Sequence, residues 1–174
     1  MTQQLSTHHD VWDTLTPLAA RVMLKPAAPA TGAVDGAWWP RGRELAAELP
    51  ALFAAVSERL GRVVNVTYRF DGWDGAPTRM LFDGNGIKLS GYHYQAADTV
   101  SIGGRGRRRL TLLVVAAQTD PETARAILSA AAVSGNTSTT GELLGVVTMP
   151  RVETGEESDW DSEGGALDRL LARR

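Results

Sequence analysis

Two tryptophans stand side by side in the run Asp35-Gly36-Ala37-Trp38-Trp39-Pro40, with Arg41 and Arg43 directly behind them. Exposed tryptophan beside arginine is the composition of interface hot spots, where a large ring fills a pocket and a guanidinium orients the partner. In extended backbone successive side chains point to opposite faces, so one indole goes inward and the other outward. Pro40 favours this by pushing Trp39 out of the helical region. The outward ring has three possible fates. It packs under an arginine stem with the guanidinium on its face, for about 0.5–1 kcal/mol; it is capped by Trp12 or Trp160 from a chain end; or it anchors a partner. Trp73, in a Gly-rich turn, joins the patch if that turn folds toward residue 39. The candidate partner-binding residues are therefore Trp38, Trp39, Arg41, Arg43 and Trp73.

Arg105, Arg107, Arg108 and Arg109, interleaved with Gly103, Gly104 and Gly106, form the densest basic cluster. Arginine forks suit phosphate, and counterion release would drive binding of nucleic acid or another polyanion. A solvated hairpin tip is the plainer account of the same residues. The natural competitor for these cations is the stretch 153–168, with seven acids and no base, whose tethering gives it a high effective concentration.

Catalytic chemistry has little to work with. His93, between Tyr92 and Tyr94, lacks an evident orienting partner, which a general base needs. His8 and His9 are adjacent in a polar arm without further ligands. Asp71, Asp74 and Asp83 sit in Gly-rich turns, but a calcium loop starting at Asp83 would place Tyr94 where its twelfth position requires glutamate. Turn formation accounts for those three aspartates. There is no cysteine, no phosphate loop and no dinucleotide fingerprint, so no cofactor or metal is expected. Asn65-Val66-Thr67 matches a glycosylation acceptor but lies inside a strand pattern.

At 174 residues one domain with tails is the natural expectation, long enough to bury a core. The net charge of −2 hides an asymmetry: without residues 153–174 the chain keeps fifteen bases against thirteen acids. The start Met1–Asp10 lacks the basic and apolar regions of a signal peptide, and no apolar run reaches the ~18 residues of a membrane helix. A cytoplasmic protein is expected.

The elements that must position these residues follow from periodicity. Arg21–Lys25 reads as a short strand stopped by Pro26. Leu45, Leu49, Leu52, Phe53, Val56 and Leu60 mark one face of a helix over 43–60, with Pro50 as a kink or restart and Gly61 as its stop. Val64, Val66, Tyr68 and Phe70 alternate with polar Asn65, Thr67 and Arg69. Residues 78–82 and 87–92 read as one hairpin, and 99–102 with 109–115 as a second. Leu110, Leu112 and Val114 face one way and Leu113 and Val115 the other, so this strand should be covered on both sides. Asp120, Pro121 and Glu122 open a helix running to about Val133. Residues 143–149 read as an edge strand or a docking segment.

The segments LKPAAPATGAVDGAWWPRGRELAAELPAL (24–52), GRRRLTLLVV (106–115) and TDPETARAIL (119–128) resemble a family of small, uncharacterised actinobacterial proteins. The likeness spans roughly residues 20 to 137 and is most specific at DGAWWPR. The family has no assigned activity, so the resemblance implies one structural unit with appended ends and transfers no site.

The expected architecture is α+β: a mainly antiparallel sheet of five to six strands covered on one face by two helices. A flexible arm (1–18) precedes the core (19–137), and a Ser/Thr-rich loop with an acidic tail (138–174) follows. The expected function is a non-enzymatic binding or regulatory module engaging a protein or small ligand through the Trp38/Trp39 region. The alternatives are a polyanion or nucleic-acid binder using Arg105–Arg109, masked by the acidic tail, and an enzyme of unrecognised type.

Overall fold

The computed structural model describes residues 19–27 and 31–145; the polar arm 1–18 and the acidic stretch 153–168 lie outside them. Seven strands form one mixed sheet in the order β1-β2-β7-β6-β3-β5-β4. They are β1 (Val22–Leu24), β2 (Gly36–Trp38), β3 (Val63–Arg69), β4 (Arg79–Phe82), β5 (Asn85–Tyr92), β6 (Thr99–Gly104) and β7 (Arg109–Val114). Three helices complete the fold: α1 (Leu45–Leu60), α2 (Pro121–Ala131) and α3 (Thr140–Gly145). The α+β class holds; the strand count and the pairing need correction.

The expected hairpins are both present as antiparallel pairs, β4 with β5 and β6 with β7. Asp83 and Gly84 take φ of 49° and 70°, the consecutive positive values that a tight hairpin turn demands. Two parallel pairings were not expected, β2 with β7 and β3 with β5. The first arises because the tryptophan segment is itself a strand. Asp35 docks it: its N–H donates to the Thr111 carbonyl at 2.7 Å, and its carboxylate accepts from the Thr111 N–H at 2.8 Å. Gly36 is required there, since a Cβ would run into the Met23 carbonyl and Leu24 of β1. The second arises because the turn 70–78 carries the chain past one strand position, so β4 takes the edge and β5 returns beside β3. The central strands are therefore not a simple meander.

α1 covers one face. Leu45, Leu49, Leu52, Phe53, Val56 and Leu60 pack with Trp38, Val66, Tyr68, Ile87, Leu89, Val100, Ile102, Leu110 and Leu112. The helix runs without a break through Pro50, its sixth residue, which leaves Ala46 without an i→i−4 donor. Gly61 ends it at φ 64°, donating to the Ser57 carbonyl at 2.7 Å. In β3 the register slips between Val63 and Asn65. That bulge turns Val63 into the core and Val64 outward, against the simple alternation expected, and the strand stops before Phe70, which is exposed.

The other face is covered as well, but only over β1, β2 and β7. There Val34, Ala37, Trp39, Leu113 and Val115 meet Ala124, Ile127, Leu128 and Ala131 of α2, and Leu143 of α3. The expectation that both helices share one face is thus overturned, while β7 is buried from both sides as expected. α2 starts as its sequence announces: the Asp120 carboxylate accepts from the Glu122 and Thr123 amides, both at 3.1 Å. Of residues 143–149, expected as an edge strand or a docking segment, 143–145 belong to α3 and Leu143 packs against the α2 cluster; residues 146–149 lie outside the described part. Among the described residues, no hydrophobic cluster covers this face beyond β7, across β6, β3, β5 and β4; Asn65, Thr67 and Arg69 lie there, and Gln95 reaches in to donate to the Thr67 carbonyl.

Candidate functional site

The paired tryptophans do split to opposite faces, yet neither reaches solvent. Trp38 is 1 % exposed and Trp39 is 6 % exposed. Trp38 enters the α1 core and stacks on Trp73, ring centroids 5.4 Å apart and planes 20° from parallel. Trp39 enters the α2 cluster, its indole N–H donating to the Ala117 carbonyl at 3.4 Å. Its remaining face is closed by Arg21, whose guanidinium carbon lies 3.4 Å from the ring centroid. The expected outward indole is therefore corrected: both faces of the sheet are sheathed where β2 runs, so alternation sends each ring into a core. Of the three fates for the second ring, the arginine lid is realised, by Arg21 from β1's entry and not by Arg41 or Arg43.

Arg21 is held there firmly. It donates to the Trp39 carbonyl at 3.1 Å and to the Pro40 carbonyl at 2.6 Å, while the Trp39 N–H donates to the Arg21 carbonyl. Burial, then the neighbouring Arg41 charge, push its pKa below the ordinary arginine value, with Glu48 opposing. The group stays cationic regardless. Arg41 donates to the Ala19 carbonyl at 3.0 Å, so it fastens the chain's entry to the same corner.

What the tryptophan corner builds is a crevice of about 350 Å³. β2 and β7 are parallel neighbours, and their exits diverge: β2 leads to α1 on one face, β7 to α2 on the other. Adjacent parallel strands whose connections part to opposite faces leave an opening beyond their carboxyl ends, the place where open sheets take ligands. Pro40, Gly42 and Arg43 form one wall and Val114–Gln118 the other, with Trp73, Arg69 and Asp71 at the side and Asp98 and Thr99 behind. The walls are pinned by backbone bonds. The Val115 N–H donates to the Trp38 carbonyl at 2.9 Å, and the Val114 N–H to the Asp98 carbonyl at 2.7 Å. Asp74 holds the Trp73 turn in place through its N–H to the Arg43 carbonyl at 2.9 Å and its carboxylate to the Arg43 guanidinium at 3.3 Å.

Of the residues singled out by sequence, Arg43 and Trp73 line this crevice and Trp38 backs Trp73; Trp39 and Arg41 do not line it. Asp98, Thr99 and Gln118 were not anticipated, and Arg69 was read only as part of the polar face of its strand. Only the helix-start signal at Asp120 hinted that the chain leaves the sheet at this point. Asp71 takes the Arg69 guanidinium at 3.6 Å and His93 Nδ1 at 3.3 Å, and His93 tilts against Phe70. The histidine expected to stand alone thus has a carboxylate partner. The pair is exposed, and His93 does not line the crevice. Among the described residues, no three His, Asp or Glu side chains cluster closely enough to hold a metal ion. No described helix is long and apolar enough to cross a membrane.

The arginine cluster sits at the opposite end of the sheet. Arg105–Arg107 form a tight turn between β6 and β7, with Gly106 and Arg107 in the left-handed region at φ 77° and 65°. The turn is clamped by the Arg105 N–H on the Arg62 carbonyl and the Gly104 N–H on the Arg108 carbonyl. Arg108 donates to the Arg59 carbonyl at 3.3 Å, serving the carboxyl end of α1. Arg108 and Arg109 border a basin of about 590 Å³ with Lys25 and Arg59. Lys25 is buried, donating at 2.7 Å to the Thr31 and Asn136 carbonyls, which makes it a clamp between two loops that no sequence signal marked.

No match is found among curated proteins or among solved structures. Residues 21–131, from the start of β1 through the end of α2, match the sequence profile of a family of unknown function, and the chain belongs to that family (DUF5994).

Proposed function

We propose that this chain is a non-enzymatic binding module whose small ligand sits in the crevice beyond β2 and β7. The observation that carries this reading is the divergence of two parallel strands at a point bordered by Trp73, which Trp38 backs by stacking. The volume lies at the small end of ligand pockets, which favours a compact molecule over a protein segment. Trp73 offers a flat apolar surface. Arg43 and Arg69 suit an anionic substituent, and their existing partners, Asp74 and Asp71, are solvent-exposed and exchangeable at little cost. Gln118 adds a neutral hydrogen-bonding group, whereas the buried Thr99 hydroxyl already donates to the Ala96 carbonyl at 2.8 Å. The residues that line the crevice all fall within the span shared with the family.

Thermal-shift screening of flat carboxylates, followed by calorimetry, tests the reading. A binder is expected whose affinity falls about tenfold in Arg43→Ala, the loss of one charged hydrogen bond, and falls further in Trp73→Leu. Absence of any binder, or binding indifferent to both changes, would contradict it. A second reading, polyanion binding through Arg105, Arg107, Arg108 and Arg109 with the acidic segment as competitor, is favoured by one fact: none of the four forms an ion pair among the described residues. Arg108, already engaged with α1, weighs against the full set.

A further inference from the structure

The open face of the sheet carries an ordered set of side chains of which the crevice uses only Arg69. Residues facing away from α1 line up in rows, because paired residues lie abreast. One row runs Arg79, Lys88, Asn65, Gly103, Arg109 across β4, β5, β3, β6 and β7. The Asn65 side chain lies over Gly103, where a Cβ would strike it, so the row is flat between its cations. The next row is Ser90, Thr67, Ser101, Thr111, with the last two hydroxyls 3.2 Å apart. The third begins with Tyr92 beside Arg69; Tyr92 is 54 % exposed and the adjacent loop presents Tyr94 fully exposed.

No aspartate or glutamate occurs in β3, β4, β5, β6 or β7. Strands lie about 4.8 Å apart, so the cations of the first row reach about 14 Å from Lys88 to Arg109, with Arg79 one strand beyond. Between the hydroxyl row and the wall formed by Thr139 and Thr140 lies a basin of about 500 Å³ that Tyr92 and Gln95 also border. A layer whose strands carry no acid, with a cation row, a hydroxyl row and an exposed ring, matches a chain of phosphates bearing flat bases; the nearest carboxylate to the ring, Asp71, is held by Arg69 and His93.

We propose that this face binds single-stranded nucleic acid, its phosphates along Arg79, Lys88 and Arg109 and a base stacked on Tyr92. Duplexes do not fit, because their bases are unavailable to Tyr92. The proposal does not depend on the crevice reading and shares only Arg109 with the arginine-turn reading.

The test is fluorescence anisotropy of a short labelled single-stranded oligonucleotide, as DNA and as RNA, with the full chain across a salt series, and heparin as a ring-free polyanion. The triple variant Arg79→Gln/Lys88→Gln/Arg109→Gln should lose at least tenfold in affinity and reduce the salt slope by about 2, near 0.7 per phosphate contact. Tyr92→Ala should weaken oligonucleotide binding by about 5- to 150-fold, with an unchanged salt slope and unchanged heparin binding. Circular dichroism confirms that these surface variants fold. Binding that ignores the triple variant overturns the proposal, as does heparin binding equal to the oligonucleotide's with no effect of Tyr92→Ala. Binding seen only after all seven acids of 153–168 are replaced by Asn or Gln makes that segment the occupant, and overturns it too.

Discussion

Arg21 occupies the position on Trp39 that the sequence reading offered to a partner. Its guanidinium covers the ring and donates to two carbonyls that follow, so one side chain seals the indole and fixes the β2 exit. Arg21→Ala should therefore cost about 1–3 kcal/mol, from a partly buried cation–π contact and charged hydrogen bonds. Arg21→Lys should recover only part, because an ammonium cannot lie flat on the ring and fork to two carbonyls. Urea unfolding monitored by tryptophan emission measures both. The alternation of Trp38 and Trp39 was legible from extended backbone alone. The lid was not, since nothing local pairs Arg21 with a ring eighteen positions later.

The strongest local signals were read correctly, and the pairings of strands distant in sequence were not. The apolar spacing of α1, the Asp120-Pro121 start of α2 and the Asp83-Gly84 turn are all written within one or two turns of chain. The parallel pairings of β2 with β7 and β3 with β5 join segments far apart in sequence, and a strand's own pattern does not name its neighbour. The α3 start was hidden in a Ser/Thr-rich run that reads as loop. It is a reciprocal cap: the Thr139 N–H and hydroxyl donate to the Glu142 carboxylate at 2.7 and 3.0 Å, and the Glu142 N–H donates back to the hydroxyl at 3.3 Å. Those bonds hold the Glu142 pKa below the usual glutamate value. A depressed carboxylate stabilises when ionised, so the cap's contribution is present above the unfolded-state pKa and is lost as pH falls through the lower folded value. Hydrogen exchange at the Thr139 amide should lose protection in that acidic window. Glu142→Gln, which accepts without titrating, should abolish the pH dependence.

For the whole molecule, the decisive feature is that helices cover both faces at one end of the sheet, while at the other end α1 covers one face and none of the three described helices is packed on the other. That asymmetry buries both indoles, parts the exits of β2 and β7, and leaves the layer from β6 to β4 without a second hydrophobic cluster among the described residues. The sequence pointed to the right corner, through Trp38, Arg43 and Trp73, but for the wrong reason. It presented an exposed ring where the structure has a crevice braced by buried ones, because burial of a strand's second face depends on where a later helix lands. The most direct measurement is acrylamide quenching of a full-length variant carrying Trp12→Phe, Trp73→Phe and Trp160→Phe, in which only Trp38 and Trp39 emit. The account predicts blue-shifted emission that acrylamide barely quenches, from both rings. Emission from either ring quenched as readily as a solvent-exposed tryptophan in the folded variant would contradict it.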